Sequence, residues 1–519
     1  MFGNNSSFDV QVTSSTNVFP ELKHGESTSV PLSIIDNAVA GFAKCSAVWF
    51  YDPPSNSSLA LSSSRLQESL SKTLNCYPQW CGRLSYATPD PKKDHSHRYQ
   101  RIWVAYNAPT DVGIPFVTAT STKKLEDFLP TTEIRKSSLK AWDPSTLPSN
   151  ELLPKTKLAI SDDMDAPNVV IQFTTFACGS TSVAIAITHC LADAVAMSQF
   201  AKDWSTMSRA MVRRETLPVV TPVFNPQLLD SFAAGNLDAS EPDKEIQAKA
   251  RSLPQHRYDW YLHVPGQPWP THTPPDFDTS IVLSPSTPMD WEQWDVKAPV
   301  SHRVLHFSPV ELHHIYKLAV SSSAKISKHD ALLAHIWSRI NASRNLPIGT
   351  KTYLDMTFGL RARVSPPLPD SFLGSPITIA AIPYTISSSP PSLSSLAQTI
   401  RSRLSVFTPK AISHYLHDQA FEVAPQRLWR GCLGREHILL TTWVYSGVYD
   451  VDFIGGQMPR YVEAVMPSCD GLVEVMEAPG VEKKRTGGSW IDDGVDVNVF
   501  LEETAMERLL VDKALWGGA

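Results

Sequence analysis

The sequence predicts a mixed α/β protein of two halves built alike and joined by a long connection, on three observations. Between Thr181 and Met207 the hydrophobic period changes. Val183, Ile185 and Ile187 alternate with small residues as in a strand, whereas Met197, Phe200, Ala201, Trp204 and Met207 recur at helical spacing. The string Ser33-x-x-Asp36 recurs as Ser327-x-x-Asp330, the same acidic variant of a helix capping box in distant parts of the chain. Between Thr216 and Pro299 prolines crowd in, and Trp260, Trp269, Trp291 and Trp294 are scattered without period. Ordinary linkers carry few large aromatics, so this stretch reads as a connection packed across both halves. The expected division is therefore residues 1–215, a crossover over 216–300, and 301–519.

In chain order, Ser33 caps a short helix, and Ala47–Tyr51 is an aromatic strand ended by Asp52-Pro53-Pro54. Leu59, Leu66, Leu70 and Leu74 mark an amphipathic helix closed by Tyr77-Pro78. Gly82 permits a turn into a strand that Arg83 holds, and Tyr99–Tyr106 is a further strand. Val169–Phe176, the Gly179-Ser180 turn and Thr181–Ile187 form a hairpin that delivers His189. The second half opens with the strand Arg303–Phe307, then Ser308-Pro309 starts a helix, and a second capped helix begins at Ser327. Tyr353–Arg363 reads as a strand ending in two arginines; Gly494–Leu501 is a strand leading into a helix from Thr504.

Composition excludes several classes. A net charge of -6 and no long basic run argue against a nucleic-acid surface, and the triplet Lys483-Lys484-Arg485 is too short to reverse that. Seven cysteines without C-x-x-C spacing read as reduced thiols packed as small hydrophobes. The start Met1–Ser7 lacks the basic and apolar segments of a secretory signal, and no stretch is apolar enough to span a bilayer. The expectation is a cytoplasmic protein, monomeric, without nucleic-acid or membrane partners. His329 and His335 are six apart and fall on different helix faces, so no metal site is expected.

A histidine beside apolar residues is ordinarily structural, and context lifts His189 above that. It stands where a strand gives way to a helix, where a scaffold holds the ring while its edge reaches a substrate proton. Asp193 follows four residues on, then Phe200 and Trp204. On this string the chain resembles the BAHD family of acyl-CoA-dependent acyltransferases, marked by His-x-x-x-Asp-Gly, with Ala194 in place of the glycine. That replacement is tolerated if the backbone there is helical. Further along, Gln79–Leu84 resembles Leu-Ala-Gly-Arg-Leu. Arg361 with Arg363, Pro366–Pro369 and Gly374 match Asp-x-Arg-x-Arg, Pro-Pro-Leu-Pro and Gly-Asn, with Gly359 at the acidic position. Thr441-Thr442-Trp443 matches Thr-Ser-Trp, and Asp452–Gly456 stands where relatives have Asp-Phe-Gly-Trp-Gly, Ile454 and Gly455 departing from it.

The resemblance implies a chloramphenicol-acetyltransferase-like fold of two similar domains, each a mixed β-sheet flanked by helices. It implies His189 as general base, Asp193 as its orienter paired to Arg361, and Thr441 and Trp443 facing the reacting centre. Asp452, Gly455, Gly456 and Ser327 then fall on the coenzyme side. No tightly bound cofactor is implied; acyl-CoA is a co-substrate and a small molecule is the acceptor, with a tilt towards a hydroxyl of a secondary metabolite. Two rival readings remain. A condensation-type enzyme would take its acyl group from a carrier protein, but such domains carry a histidine just before the first, and Thr188 stands there. A non-catalytic descendant would bind a metabolite without turning it over. Cys190 as an acylated nucleophile requires its thiol in the cleft, and neighbours on an extended chain point opposite ways.

Overall fold

The computed structural model describes residues 9–22, 26–56, 59–154, 166–269, 273–320, 325–480 and 489–517. The basic triplet Lys483–Arg485 and the start Met1–Ser7 lie outside them. Two large mixed sheets dominate. The first has six strands in the order Val10–Val18, Ile114–Ser121, Val169–Phe176, Thr181–Ile187, Cys45–Tyr51 and Tyr461–Ala464. The second has seven, in the order Ile377–Thr385, Lys351–Gly359, His437–Thr442, Leu472–Glu477, Val495–Glu502, Val300–Phe307 and Ala141–Trp142. Each ends on a short strand lent by the other half: Tyr461–Ala464 pairs antiparallel with Cys45–Tyr51, and Ala141–Trp142 with Val300–Phe307.

The strands predicted from alternation are present with slightly moved ends: Cys45–Tyr51, Ile102–Tyr106, Val300–Phe307 and Val495–Glu502. The helix expected from Leu59 begins at Ser63, because Ser62 rather than Leu59 supplies the cap, accepting from the Arg65 N–H. The arginines expected at the end of a strand stand one step beyond it. Lys351–Gly359 ends before a single 3-10 turn, Arg361–Arg363.

The helix Ala194–Arg213 buries the stripe read from the sequence: Met197, Phe200, Ala201 and Trp204 are fully covered. Its Trp204 indole donates to the Leu66 carbonyl at 3.2 Å and to Ser69 Oγ at 3.0 Å, tying it to the helix Ser63–Leu74. Burying each such side chain is worth about 1.5–3 kcal/mol, so the helix is anchored by the face away from the site.

The crossover is held to the second half by buried charge. Arg251 and Arg257 pair with Asp418, Arg257 also with Glu422, and Arg427 bonds Asp259 and the Ser284 carbonyl. Arg427 and Asp259 are almost wholly covered. The segment Tyr258–Asp259 forms a small sheet with Thr287–Pro288 and Leu428–Trp429. All seven cysteines are free, and among the described residues no helix is long and apolar enough to cross a membrane.

Removing one partner of a buried ion pair strands the other charge, at about 3–5 kcal/mol. Arg427→Ala is therefore expected to loosen the crossover, read as new chymotryptic cleavage between residues 252 and 290, while Arg427→Met with Asp259→Leu restores resistance.

Candidate active site

The strand Thr181–Ile187 lies inside the first sheet, and its end delivers a tight turn, Thr188–Ala192, before the helix that Asp193 caps. Asp193 Oδ1 accepts the Ala196 N–H at 2.9 Å. Ala194 is the first helical residue, so the backbone there suits any side chain and the usual glycine is dispensable. The same carboxylate meets Arg361 through two parallel hydrogen bonds, Nη1 to Oδ2 at 2.5 Å and Nη2 to Oδ1 at 3.0 Å. Both residues are buried. A planar guanidinium matched to a carboxylate in this way fixes position as well as charge.

Arg361 also donates to the Phe372 and Gly374 carbonyls, at 3.0 and 3.3 Å, and the Asp193 N–H donates to the Gly374 carbonyl at 3.1 Å. The segment Phe372–Ser375 is thereby laid along the histidine turn. Gly374 has φ +99°, and a Cβ there would lie 3.0 Å from Asp36 Oδ1. Only glycine meets both demands. The next residue, Ser375, places its hydroxyl 3.0 Å from His189 Nδ1 and donates its own N–H to Asp36 Oδ1 at 2.6 Å. Asp36 also closes the capping box with Ser33, as the sequence indicated. Burial, followed at a distance by the charge of Asp230, pushes the Asp36 carboxyl up to about 7.

His189 is partly exposed, with Phe42 edge-on to its ring at a centroid separation of 5.4 Å. Desolvation holds its pKa below the ordinary 6.5, against the weaker opposite pull of Asp193. The Ser375 hydroxyl at Nδ1 leaves Nε2 as the open ring nitrogen. Nε2 has no hydrogen bond among the described residues. Cys190 points the other way: it is 1% exposed and burial pushes its thiol up to about 12.

Thr441 and Trp443 come from the second sheet. Ile438 and Leu440 on the strand His437–Thr442 pack into the helical core of the second half, so Thr441 faces the opposite side. Its cross-strand neighbour there is Glu474, whose acid burial pushes well above the usual range. Glu474 Oε2 accepts from Asn498 Nδ2 at 3.2 Å, while Oε1 is buried without a partner among the described residues. Cys45, which pairs with Ile187 at the foot of the histidine turn, has its thiol pushed well up by burial. Trp443 is buried in the core of the first half, the same cluster that takes in Cys190, Leu191 and Ala192 of that turn. Its indole N–H has no acceptor among the described residues.

The four residues expected on the coenzyme side lie in two other places. Asp452 is buried and accepts the N–H groups of Ile454, Gly455 and Gly456 at 3.2, 2.6 and 2.6 Å, so its carboxylate shapes the loop. Ile454 fills the core of the first half, and Gly455 and Gly456 take positive φ. The loop rims a cleft of about 670 Å³ that Asp52, Glu126 and Arg460 also line. It sits near the Tyr51 end of the strand Cys45–Tyr51, where the Tyr51 hydroxyl donates to the Val451 carbonyl, whereas the histidine turn adjoins the Cys45 end. Ser327 caps the helix Lys328–Arg344, its hydroxyl engaged by Asp330 and Arg401.

Sequence reasoning missed Ser375, Phe42 and Glu474. It also missed a trio of His256, Asp355 and His437. Each imidazole bonds one carboxylate oxygen, at 3.0 and 2.8 Å, and the Cys432 N–H adds 2.9 Å. No spacing signals a cluster drawn from a crossover and two strands. His329 and His335 have the structural partners expected of them, Thr442 Oγ1 and the Leu515 carbonyl.

The sequence profile of the Transferase family matches residues 8–514. The chain belongs to this family. The transferase is an acyltransferase of the BAHD type, as the histidine motif implied. It is similar to acyltransferase AFT15-1 of Alternaria alternata, 26% identical over 98% of this chain and 97% of that one. Acyltransferase abl6 of Leptosphaeria maculans is 25% identical over 98% of each chain. Among solved structures, F. sporotrichioides TRI101 complexed with coenzyme A and T-2 aligns with a TM-score of 0.62 at 18% identity, covering 94% of this chain and 98% of that one. Vinorine synthase aligns at 0.59 and 17% identity over 96% of each. These likenesses establish for the transferase the expected chloramphenicol-acetyltransferase-like fold.

Gly374→Ala is expected to cost about 1–3 kcal/mol through the strained backbone and, by displacing Ser375, to lower turnover more than the stability loss explains. Ala194→Gly changes stability by about 1 kcal/mol or less and leaves turnover intact. Urea midpoints and initial rates on the two variants check both.

Proposed function

We propose that the chain moves an acyl group from acyl-CoA to a hydroxyl or amine of a small secondary-metabolite acceptor, with His189 as general base in a ternary complex. The observation that carries this reading is the state of the imidazole. Nδ1 is occupied by Ser375, Nε2 has no hydrogen bond among the described residues, and the turn beneath is pinned by Asp193 and Arg361. The relatives support it: AFT15-1 and abl6 are acyltransferases, and TRI101 was solved with coenzyme A.

A thioester is activated, yet a neutral alcohol attacks it slowly unless a proton leaves as the bond forms. In this reading Nε2 takes that proton, worth about 100- to 10,000-fold in rate, and holding both substrates together contributes through effective molarity. The carbonyl oxygen becomes an oxyanion in the tetrahedral species; the Trp443 indole N–H and the Thr441 hydroxyl are the donors assigned to it, at about 3 kcal/mol for a preorganised donor. Collapse expels the thiolate of coenzyme A, which recovers the proton from the imidazolium. Asp193 stays paired to Arg361, an orienter rather than a relay. The loop held by Asp452, with Gly455 and Gly456, and the Ser327 cap are assigned to shaping the coenzyme side. The chain is taken to act as a monomer in the cytoplasm.

His189→Ala is expected to lower free-thiol release from acetyl-CoA, measured with DTNB against a panel of primary alcohols and amines, at least 100-fold. Thiol release unchanged by the substitution would refute the reading. Because burial disfavours the imidazolium, the base stays neutral to lower pH than a free histidine. The acid limb of kcat/KM is therefore expected below 6.5, with rate rising through it to a plateau near neutrality; a limb at or above 6.5 contradicts the assignment.

A further inference from the structure

Six part-exposed rings form a continuous strip leading away from the catalytic imidazole. Phe42 stands edge-on to His189 at 5.4 Å and edge-on to Trp429 at 4.9 Å. Trp429 is the antiparallel cross-strand partner of Tyr258, which puts both side chains on one face of the small crossover sheet. Tyr258 stacks on His256 at 4.9 Å, and His256 stands edge-on to Tyr353 at 4.7 Å. All six residues are of intermediate exposure, whereas Trp49, Trp80, Trp204 and Trp337 are fully buried. Part-open rings adjoining the His189 imidazole offer faces and edges to a flat ligand.

We infer that this strip is the acceptor-binding surface, and that the acceptor is an elongated molecule with planar aromatic or conjugated rings, its nucleophile at the His189 end. The inference rests on acyl transfer at His189. Direction decides between acceptor and donor. The strip leaves from the Cys45 end of the strand Cys45–Tyr51, opposite to the end where the Asp452 loop, assigned to the coenzyme side, lies. Faces and edges of aromatic rings favour offset-stacked or edge-to-face partners by about 0.5–1.5 kcal/mol per pair beyond area burial. Selectivity for planar rings over saturated rings of similar size follows. Near the far end His256 is fixed by Asp355, so its ring is held in place by a hydrogen bond and does not swing out of line.

The test measures binding apart from turnover. Calorimetric titration of the full chain with 2-naphthalenemethanol and with cyclohexylmethanol is expected to show the planar alcohol binding at least tenfold tighter. Phe42→Leu and Trp429→Leu are each expected to weaken the naphthyl alcohol about three- to tenfold and to leave the cyclohexyl alcohol within twofold, with unchanged thermal midpoints showing that the fold persists. Equal affinity for the two alcohols, or variants that affect neither or both alike, would overturn the inference. So would variants that raise KM for benzoyl-CoA while leaving naphthyl binding intact, since the strip would then serve the donor. The outcomes separate from those of the catalytic reading. Thiol release with saturated acceptors alone sinks the inference and spares the transferase, while naphthyl binding without thiol release from any donor does the reverse.

Discussion

The bidentate pair of Asp193 and Arg361 joins residues 168 positions apart and is the contact on which the site depends. Its carboxylate caps the helix Ala194–Arg213 from the first half, and its guanidinium gathers the segment Phe372–Ser375 from the second. Because both groups are buried, neither survives comfortably without the other. The pair therefore acts as a register pin: it sets how the histidine turn lies against the Gly374 segment, and through that the distance from His189 to Ser375. Catalytic geometry at an interface between halves needs such a pin, since a shift of about 1 Å in a reacting group can cost 100-fold in rate.

Around that contact the two halves are interlocked. Each large sheet takes its last strand from the other half, so separating the halves would break backbone ladders as well as side-chain contacts. The crossover adds a layer of buried arginine and carboxylate pairs, which bring Tyr258 and Trp429 together and so build the aromatic strip. Directional contacts of this kind select one arrangement where apolar packing alone would tolerate several. Phe42, Trp429 and His189 then occupy a shared wall although they come from a loop after a capped helix, a strand beyond the crossover, and a strand-to-helix turn.

The loop Asp452–Gly456 owes its shape to its own residues. Ile454 fills the core, the positive φ of Gly455 and Gly456 turns the chain, and Asp452 receives three main-chain donors. The turn needs an acceptor and residues that take positive φ, and these side chains supply them. The same logic explains Ala194: its position is helical, and a helix does not ask for glycine.

Local signals made much of this legible in the amino-acid order. The change of period around His189, the two capping boxes at Ser33 and Ser327, the helical stripe of the helix Ala194–Arg213 and the family strings at Arg361 and Thr441 all depend on neighbours within a few residues, where spacing dictates geometry. What spacing could not carry were contacts between distant segments: Ser375 on the imidazole, Asp36 beneath it, Glu474 beside Thr441, the His256, Asp355 and His437 trio, and the exchanged edge strands. Those partners stand far apart along the chain, and only tertiary packing, within a sheet, against the crossover or between the halves, brings them together. The order of residues thus determined where His189 stands and which helix follows it. Tertiary structure decided what meets its ring, Ser375 and Phe42, because those groups arrive through packing rather than through sequence.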